Sequence, residues 1–432
     1  MRVIGMDVHR SMAVIAVVEG NRLSRGGRID LTRDAVIKFG RKLRSDDEVV
    51  IEATVNTAMI VRLLRPSVRR VVIANPLQVR AIAHAKIKTD KIDAAAVLAK
   101  LHASGFLPEV WMPDEATETL RRLVVQRAQV IQQMTRARNR IHSILHANLI
   151  PPYQGAMFSV AGRAWLDTQP LALDEKLTIQ RHLADLDGRA SDLGVIDREL
   201  AQRALNDKRV ERLMTVSGID LTVALGLLAA IGDIGRFASP EKLVSYLGLN
   251  PSVRQSGNGP AHHGRISKQG RAHARALLVE AAWAAGRAPG PMRAFFIRIQ
   301  SRRGKQVAAV ATARKIAVLA WHLLTKDENY AWARPALLNA KLRKMELRAG
   351  QPTAKGRRPG RAHAYNDSAI RERERIWLEQ TEQAYTRFVA NWQSKPTRRT
   401  GAANGTRRSK ARDGLTVPGP ALCHAVTRAR SK

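Results

Sequence analysis

"MRVIGMDVHRSMAVIAVVEG", residues 1–20, decides how this chain begins to fold. Residues 2–8 are a short apolar run, and "HRS" at 9–11 makes a turn. Residues 12–20 return as a second run rich in β-branched side chains. Two such runs around a tight turn predict paired strands. "NRLSRGGRI" at 21–29 extends them as a third strand. "TRDAVIKFGRKL" at 32–43 predicts a helix, with Thr32 as its N-cap. "EVVIEA" at 48–53 and "RRVVIAN" at 69–75 predict short buried strands. Helices follow from about Pro76 and about Thr89.

Three leading strands, then alternating helix and strand, is the order of a ribonuclease-H-like fold. It implies an α/β domain over residues 1–112, a mixed sheet flanked by helices. Residues 113–205 predict a long helical segment. Its stretch 116–149 has apolar residues at helical spacing, suited to coiled-coil pairing, and Pro151 and Pro152 end it. A second helical stretch runs to about Leu205. Residues 206–330 predict a mainly α-helical third domain. It starts with a helix, a Gly turn at Ser217–Gly218 and a second helix, in the manner of a helix-hairpin-helix. A Gly-rich loop at 250–270 comes next, then a helix at 271–286 and two more within 291–325. Residues 331–432 hold 23 Lys+Arg against 7 Asp+Glu. This composition predicts a basic, largely disordered tail with one helix at 368–390.

The 432 residues carry a formal charge of +36, so the expected partners are polyanions, nucleic acid first. An anionic membrane is the rival. It calls for aromatic anchors, and aromatics make up only 4%. No apolar run approaches the ~18 residues of a membrane span. The single cysteine, Cys423, rules out a disulfide framework and suits a reducing cytosol. The expected location is cytoplasmic, in association with the nucleoid.

Four acids stand out. Asp7 lies in the first strand, Glu52 ends a later one, and Asp90 and Asp93 share one helical face at i, i+3 within "KTDKIDAAAVLAKL" (88–101). In a ribonuclease-H-like fold they converge at one sheet edge. Four clustered carboxylates repel one another unless divalent cations lie between them. Mg²⁺ takes oxygen ligands and leaves positions open for phosphate oxygens. Two such ions about 3.5–4 Å apart clamp both oxygens of a phosphoryl transfer. Lys86, Lys88 and Lys91 would guide a phosphate backbone there. Each acid also has a structural reading: Asp90 as a first-turn acid favoured by the helix dipole, Asp7 as a turn acid.

"GMDVH" at 5–9, "IEAT" at 51–54, "KTDKIDAAAVLA" at 88–99 and the block from Ser217 to Ala282 together resemble the transposases of the insertion-sequence one-ten family. The likeness covers residues 1 to about 325. "KTDKIDA" and "YLGLNPSVRQSG…GRISKQG" are its most specific elements. The resemblance implies a Ruv-C-type DEDD domain in which Asp7, Glu52, Asp90 and Asp93 are catalytic metal ligands. It implies Mg²⁺, two ions, with Mn²⁺ as a substitute. It also implies a transposase domain with a nucleophilic serine, matching Ser256. Such enzymes recombine DNA through a phosphoserine link. They act as homo-oligomers, dimers or tetramers, with a composite site, and many are guided by an RNA from the element's ends.

On its own residues, Ser256 is a Ser-Gly turn residue or a nucleophile awaiting an activating base or metal. Ser252 is the rival nucleophile. Gly257 and Gly259 would let backbone approach a phosphate closely. Arg265, Lys268, Arg271 and Arg275 are candidate nucleic-acid contacts or a solvated basic face. His262 and His263 lack further metal ligands nearby and read as polar loop. Two rival functions stay open: a junction-resolvase-like nuclease without covalent serine, and a non-catalytic nucleic-acid-binding protein.

Overall fold

The computed structural model describes residues 2–82, 94–257, 260–352 and 360–391. The chain divides into two compact units, residues 1–114 and 115–432.

In the first unit, strands β1 (Arg2–Val8), β2 (Met12–Glu19) and β3 (Arg22–Asp30) form an antiparallel meander. Helix α1 (Arg33–Gly40) leads to β4 (Glu48–Glu52), and helix α2 (Thr57–Leu64) leads to β5 (Arg70–Ala74). Helices α3 (Pro76–Ile82) and α4 (Ala94–Ala103) follow. The sheet order is β3-β2-β1-β4-β5, with β4 parallel to β1 and β5 parallel to β4. It is a mixed sheet, as expected. Thr32 caps α1, its hydroxyl accepting from the Ala35 N–H at 3.2 Å.

Alternation along the strands divides the apolar residues between two faces. Ile4, Met6, Ile15, Val49, Ile51 and Ile73 pack with Val36 of α1 and with Ile60, Val61 and Leu64 of α2. Val3, Val18, Val50, Val72 and Ala74 pack on the other face with Val79 of α3 and with Leu98 and Ala99 of α4. Asp47 is fully buried and pins the start of β1 to the entry of β4. It accepts from Arg2 Nε at 2.7 Å and Nη2 at 2.5 Å, and from the Arg44 N–H at 2.7 Å. Burial pushes its carboxyl up, but the guanidinium and the Arg44 amide outweigh this and hold it below the usual range.

In the second unit, α5 (Glu115–Ala147) pairs with α7 (Leu173–Ala204), and short α6 (Val160–Asp167) lies between them in sequence. Arg127 of α5 bonds Asp197 and Asn148 bonds Glu175, so the two long helices run antiparallel. The expected long helix therefore finds its partner inside the chain. Helices α8 (Lys208–Met214), α9 (Leu221–Ile231) and α10 (Pro240–Tyr246) come next. Helix α9 is apolar all round and buried nearly throughout, the behaviour of a core helix. Where a Gly-rich loop was expected, β6 (Pro251–Arg254) and β7 (His262–Ile266) form an antiparallel hairpin. Its strands are only four and five residues long and rich in Ser, Gly and His, so they show no clear apolar alternation.

Helices α11 (Ala272–Ala285), α12 (Pro291–Arg303) and α13 (Lys305–Lys326) follow, then α14 (Pro335–Arg348), α15 (His363–Asn366) and α16 (Ser368–Ala390). One hydrophobic core runs from Leu123 to Ala349. The helix expected at 368–390 is α16. Helix α14 is an addition to the composition-based reading, because its buried Ala336, Leu342 and Met345 stripe is diluted among basic residues. The shift to basic composition at 331 is thus not where packed structure ends. Residues 392–432 lie outside the described residues.

Helix α13 is long and apolar enough to cross a membrane by length and composition. Arg314 and Lys315 interrupt its apolar run, which is why the sequence reading passed over it. Half of that stretch is buried inside the protein, with Ile316, Ala317 and Ala320 fully covered, so it packs as a core helix.

Candidate active site

Asp7 and Glu52 end neighbouring parallel strands. The β1–β4 register pairs Gly5 with Val50 and Met6 with Ile51. Continued by one residue, it sets Asp7 level with Glu52. Asp7 has the parity of Val3 and Gly5, and Glu52 that of Val50. Both carboxylates therefore belong to the face covered by α4. Both are half-buried.

Gly5 fixes how closely α4 approaches. A Cβ at Gly5 would stand 1.9 Å from the Ala95 carbonyl oxygen and 3.1 Å from the Ala99 nitrogen. The first turn of α4 thus lies directly on β1, two residues before Asp7, and only glycine permits it. Asp90, Asp93, Lys86, Lys88 and Lys91 lie outside the described residues; in sequence, Asp93 directly precedes α4.

Sequence reasoning missed two neighbours of these acids. His9 Nε2 lies 3.3 Å from Asp7 Oδ2. His9 lies one residue past the end of β1, in the turn that leads to β2. After Glu52, the Thr57 hydroxyl accepts from the Thr54 N–H at 2.7 Å and donates to the Glu52 carbonyl at 3.3 Å, while Thr54 bonds Asn56 at 2.7 Å. These bonds shape the turn beside Glu52. Among the described residues, no group of three or more His, Cys, Asp or Glu could hold a metal ion. Asp7 and Glu52 themselves suit a hard cation, being oxygen donors on one face at the C-terminal ends of two interior strands.

Ser256 belongs to the second unit, two residues beyond β6, and is exposed. Gly257 beside it has φ +53°, a left-handed conformation that suits glycine. Ser252 is held differently. A Cβ at Gly264 would stand 2.5 Å from the Ser252 hydroxyl, so that hydroxyl lies against the opposite strand. Gly259 lies outside the described residues. The base of the hairpin is rigid: Ser267 bonds Asn250 through backbone and side chain, both at 2.8 Å. A Cβ at Gly270 would meet the Tyr246 carbonyl at 2.1 Å, so chain and helix touch there.

The four basic candidates are not equivalent. Arg265 and Lys268 are exposed on the returning strand and at its end. Arg271 donates from Nε to the Tyr246 hydroxyl at 2.7 Å. Arg275 donates from Nη1 to the Leu247 carbonyl at 2.9 Å and so braces the end of α10. Tyr246, unmarked in the sequence reading, lies among cations: Arg236 is 4.3 Å from its ring centroid and Arg271 5.6 Å. Burial raises its phenol, but Arg271 and Arg236 outweigh this and hold it below its ordinary value.

The Ser217–Gly218 turn is enclosed. Ser217 is buried, and a Cβ at Gly218 would stand 2.3 Å from the Ala281 carbonyl. Lys341 Nζ donates to the carbonyls of Met214 (2.8 Å), Val216 (3.2 Å) and Ile219 (2.8 Å), so the turn's acceptors are taken from inside.

Two family profiles match this chain. One, described as a transposase of the DEDD, IS110 type, covers residues 4–149. The other, described as the transposase IS116/IS110/IS902 family, covers residues 210–296. The chain belongs to this transposase family. The first match contains Asp7, Glu52 and α4, and the second contains the hairpin and Ser256.

Individual relatives agree. The y4qE protein of Sinorhizobium fredii, whose name refers to a transposase, is 28% identical over 295 residues, 65% of this chain and 70% of its own. The transposase for insertion sequence element IS1111A of Coxiella burnetii is 32% identical over 150 residues, 34% of this chain and 41% of its own. A pilin gene-inverting protein of Moraxella bovis is 26% identical over 267 residues, 60% of this chain and 74% of its own.

Proposed function

We propose that this transposase cuts and rejoins DNA at the ends of an insertion sequence, with a carboxylate-held metal centre and Ser256 as nucleophile. The observation that carries the reading is the shared face of Asp7 and Glu52 at the ends of parallel strands, with the first turn of α4 against Gly5 beside them. The meander followed by two parallel strands supports a ribonuclease-H-like, Ruv-C-type domain. The Moraxella relative's name supports rejoining as well as cutting, since inverting a gene needs both.

Asp7, Glu52, Asp90 and Asp93 would hold Mg²⁺, two ions, with Mn²⁺ as a substitute. Bound there, the metal supplies charge stabilisation to the phosphoryl oxygens. Ser256 offers its hydroxyl to the phosphorus, an O–P bond forms, and a DNA oxygen leaves as a 3′ or 5′ hydroxyl. The serine proton is lost and one is gained by the leaving oxygen. A DNA hydroxyl reverses the step on rejoining. Ser256 suits this better than Ser252, whose hydroxyl lies against Gly264. Arg265, Lys268 and Arg271 hold phosphates near the hairpin, as do Lys88 and Lys91 near the acids.

In functional terms we assign residues 1–112 to the metal centre, 113–205 to a helical segment and 206–330 to the serine domain, with 331–432 as a basic extension. Partners are the element ends, the target DNA, a guide RNA and further copies of the chain in a dimer or tetramer. Mg²⁺-dependent cleavage of element-end DNA tests the reading. Asp7→Asn and Glu52→Gln should each abolish it while leaving the protein folded. Full cleavage by either variant would remove the metal centre. Cleavage that needs Asp7 but not Ser256 would favour the water-using nuclease.

A further inference from the structure

Residues 291–326, the span of α12 and α13, contain eight Lys and Arg and no Asp or Glu. Two of these cations are answered from elsewhere. Arg293 pairs with Glu382 of α16 at 2.8 Å, and Arg314 feels the charge of Glu241. Of the other six, Lys326 lies in the last turn of α13, and Arg298, Arg302, Arg303, Lys305 and Lys315 have no ion pair among the described residues.

These five fall at two stations on one helical hairpin. Arg302, Arg303 and Lys305 are exposed on both sides of Gly304, at the tight corner between the helices. Helix α13 starts at Lys305 with no side-chain cap, so its first amides point out beside these three cations. The second station is Phe295. Arg298 lies 5.4 Å and Lys315 4.6 Å from its ring centroid. Arg298 Nε is buried and lacks a hydrogen-bond partner among the described residues, as does the Thr312 hydroxyl on α13. Lys315 Nζ also donates to the Tyr385 hydroxyl of α16 at 3.4 Å, but two like charges over one ring, with an unsatisfied donor and no carboxylate paired to them among the described residues, is a poor arrangement for the isolated protein. It suits a protein that meets an anion there. Arg298 and Arg302 lie four residues apart on one face of α12, about 6 Å of rise, so the two stations can take neighbouring phosphates of one strand.

We propose that the α12–α13 corner is a binding surface for the phosphate backbone of duplex DNA, held by Arg302, Arg303 and Lys305 with Arg298 and Lys315. None of these residues belongs to the proposed metal centre or the serine hairpin. The inference rests on the proposed function only in taking DNA as the polyanion.

The test is equilibrium binding of a fluorescent 30-base-pair duplex DNA, in EDTA and on a Ser256→Ala background, so that no chemistry is required. Affinity is measured from low to moderate salt for the parent, for R302Q/R303Q/K305Q and for R298Q/K315Q. Each lost phosphate contact lowers the log–log salt slope by about 0.9. The triple variant should therefore lose about 2.7 in slope and the double variant about 1.8. Unchanged slopes and affinities in variants with parental melting curves would overturn the proposal. So would a loss confined to a duplex RNA of equal length. If the double variant melts early, the exposed triple variant alone decides. Failure of the serine or metal reading leaves this binding result intact, so the two can fail separately.

Discussion

Replacing Gly5 with alanine puts the seating of α4 on β1 under direct strain. The added Cβ would stand 1.9 Å from the Ala95 carbonyl oxygen, 2.8 Å from its carbon and 3.1 Å from the Ala99 nitrogen. All three are backbone atoms, so no rotamer change relieves the overlap. Helix α4 must retreat by roughly 1 Å or more to reach ordinary carbon–oxygen contact distances. That loosens Leu98 and Ala99 against Val3, Val50 and Val72. Overpacking of this kind costs about 1–3 kcal/mol, and in a unit of this size each kcal/mol lowers the midpoint by roughly 4–8 °C. Displacement of a group near reacting atoms by about 1 Å can cost 100-fold in rate. Asp93 directly precedes α4, so cleavage should fall about 100-fold at a temperature where the variant is still folded. Thermal melting and a Mg²⁺-dependent cleavage assay read the two effects. Gly188→Ala is the control, since nothing lies within 4 Å of its new Cβ. A Gly5→Ala protein with parental melting and parental cleavage would refute the reasoning.

Three further outcomes are expected. Asp47→Asn should remove the stability held by the Arg2 pair, and breaking a buried pair costs about 3–5 kcal/mol. Because the folded carboxyl is held below its unfolded value near 3.8, this stability is present above that value and is lost as pH falls through the folded one; urea melts of the parent should therefore weaken toward pH 3 and those of the variant much less. Lys341→Met should leave the carbonyls of Met214, Val216 and Ile219 without their shared donor, costing about 2–3 kcal/mol in denaturant melts, with no change if solvent replaces it. Ser252→Ala should retain strand cleavage within a few-fold and Ser256→Ala should lose it, measured on the same nicked and intact substrates; the reverse result would make Ser252 the nucleophile.

Much of the first unit was legible because its signals are local. Two β-branched runs around "HRS", a threonine before a helix and two short apolar strands each declare themselves within a few residues. The parity that gathers Asp7 and Glu52 on one face follows from period-two alternation once the strands are known. What stayed hidden depends on partners far along the chain. Asp47 reads as a surface acid until Arg2, 45 residues away, is seen against it. Lys341 looks like one basic residue among many until its three carbonyls, more than 120 residues distant, are in place. Helix α14 was lost in an average, since few buried positions within fourteen residues scarcely shift composition. The β6–β7 hairpin gave no alternation because most of its side chains face solvent, so no apolar side is required of it. Tyr246 is a single phenol in sequence, and only folding surrounds it with Arg236 and Arg271.

The central claim is a serine nucleophile that depends on the carboxylate centre, and a covalent-trapping experiment tests it most directly. The full chain is incubated with element-end DNA, Mg²⁺ and co-expressed RNA, then denatured and resolved for protein–DNA adducts. The account predicts an adduct in the parent that is absent in Ser256→Ala and in Asp7→Asn. Cut DNA that needs Asp7 but never carries protein would contradict it and leave a water-using nuclease in its place.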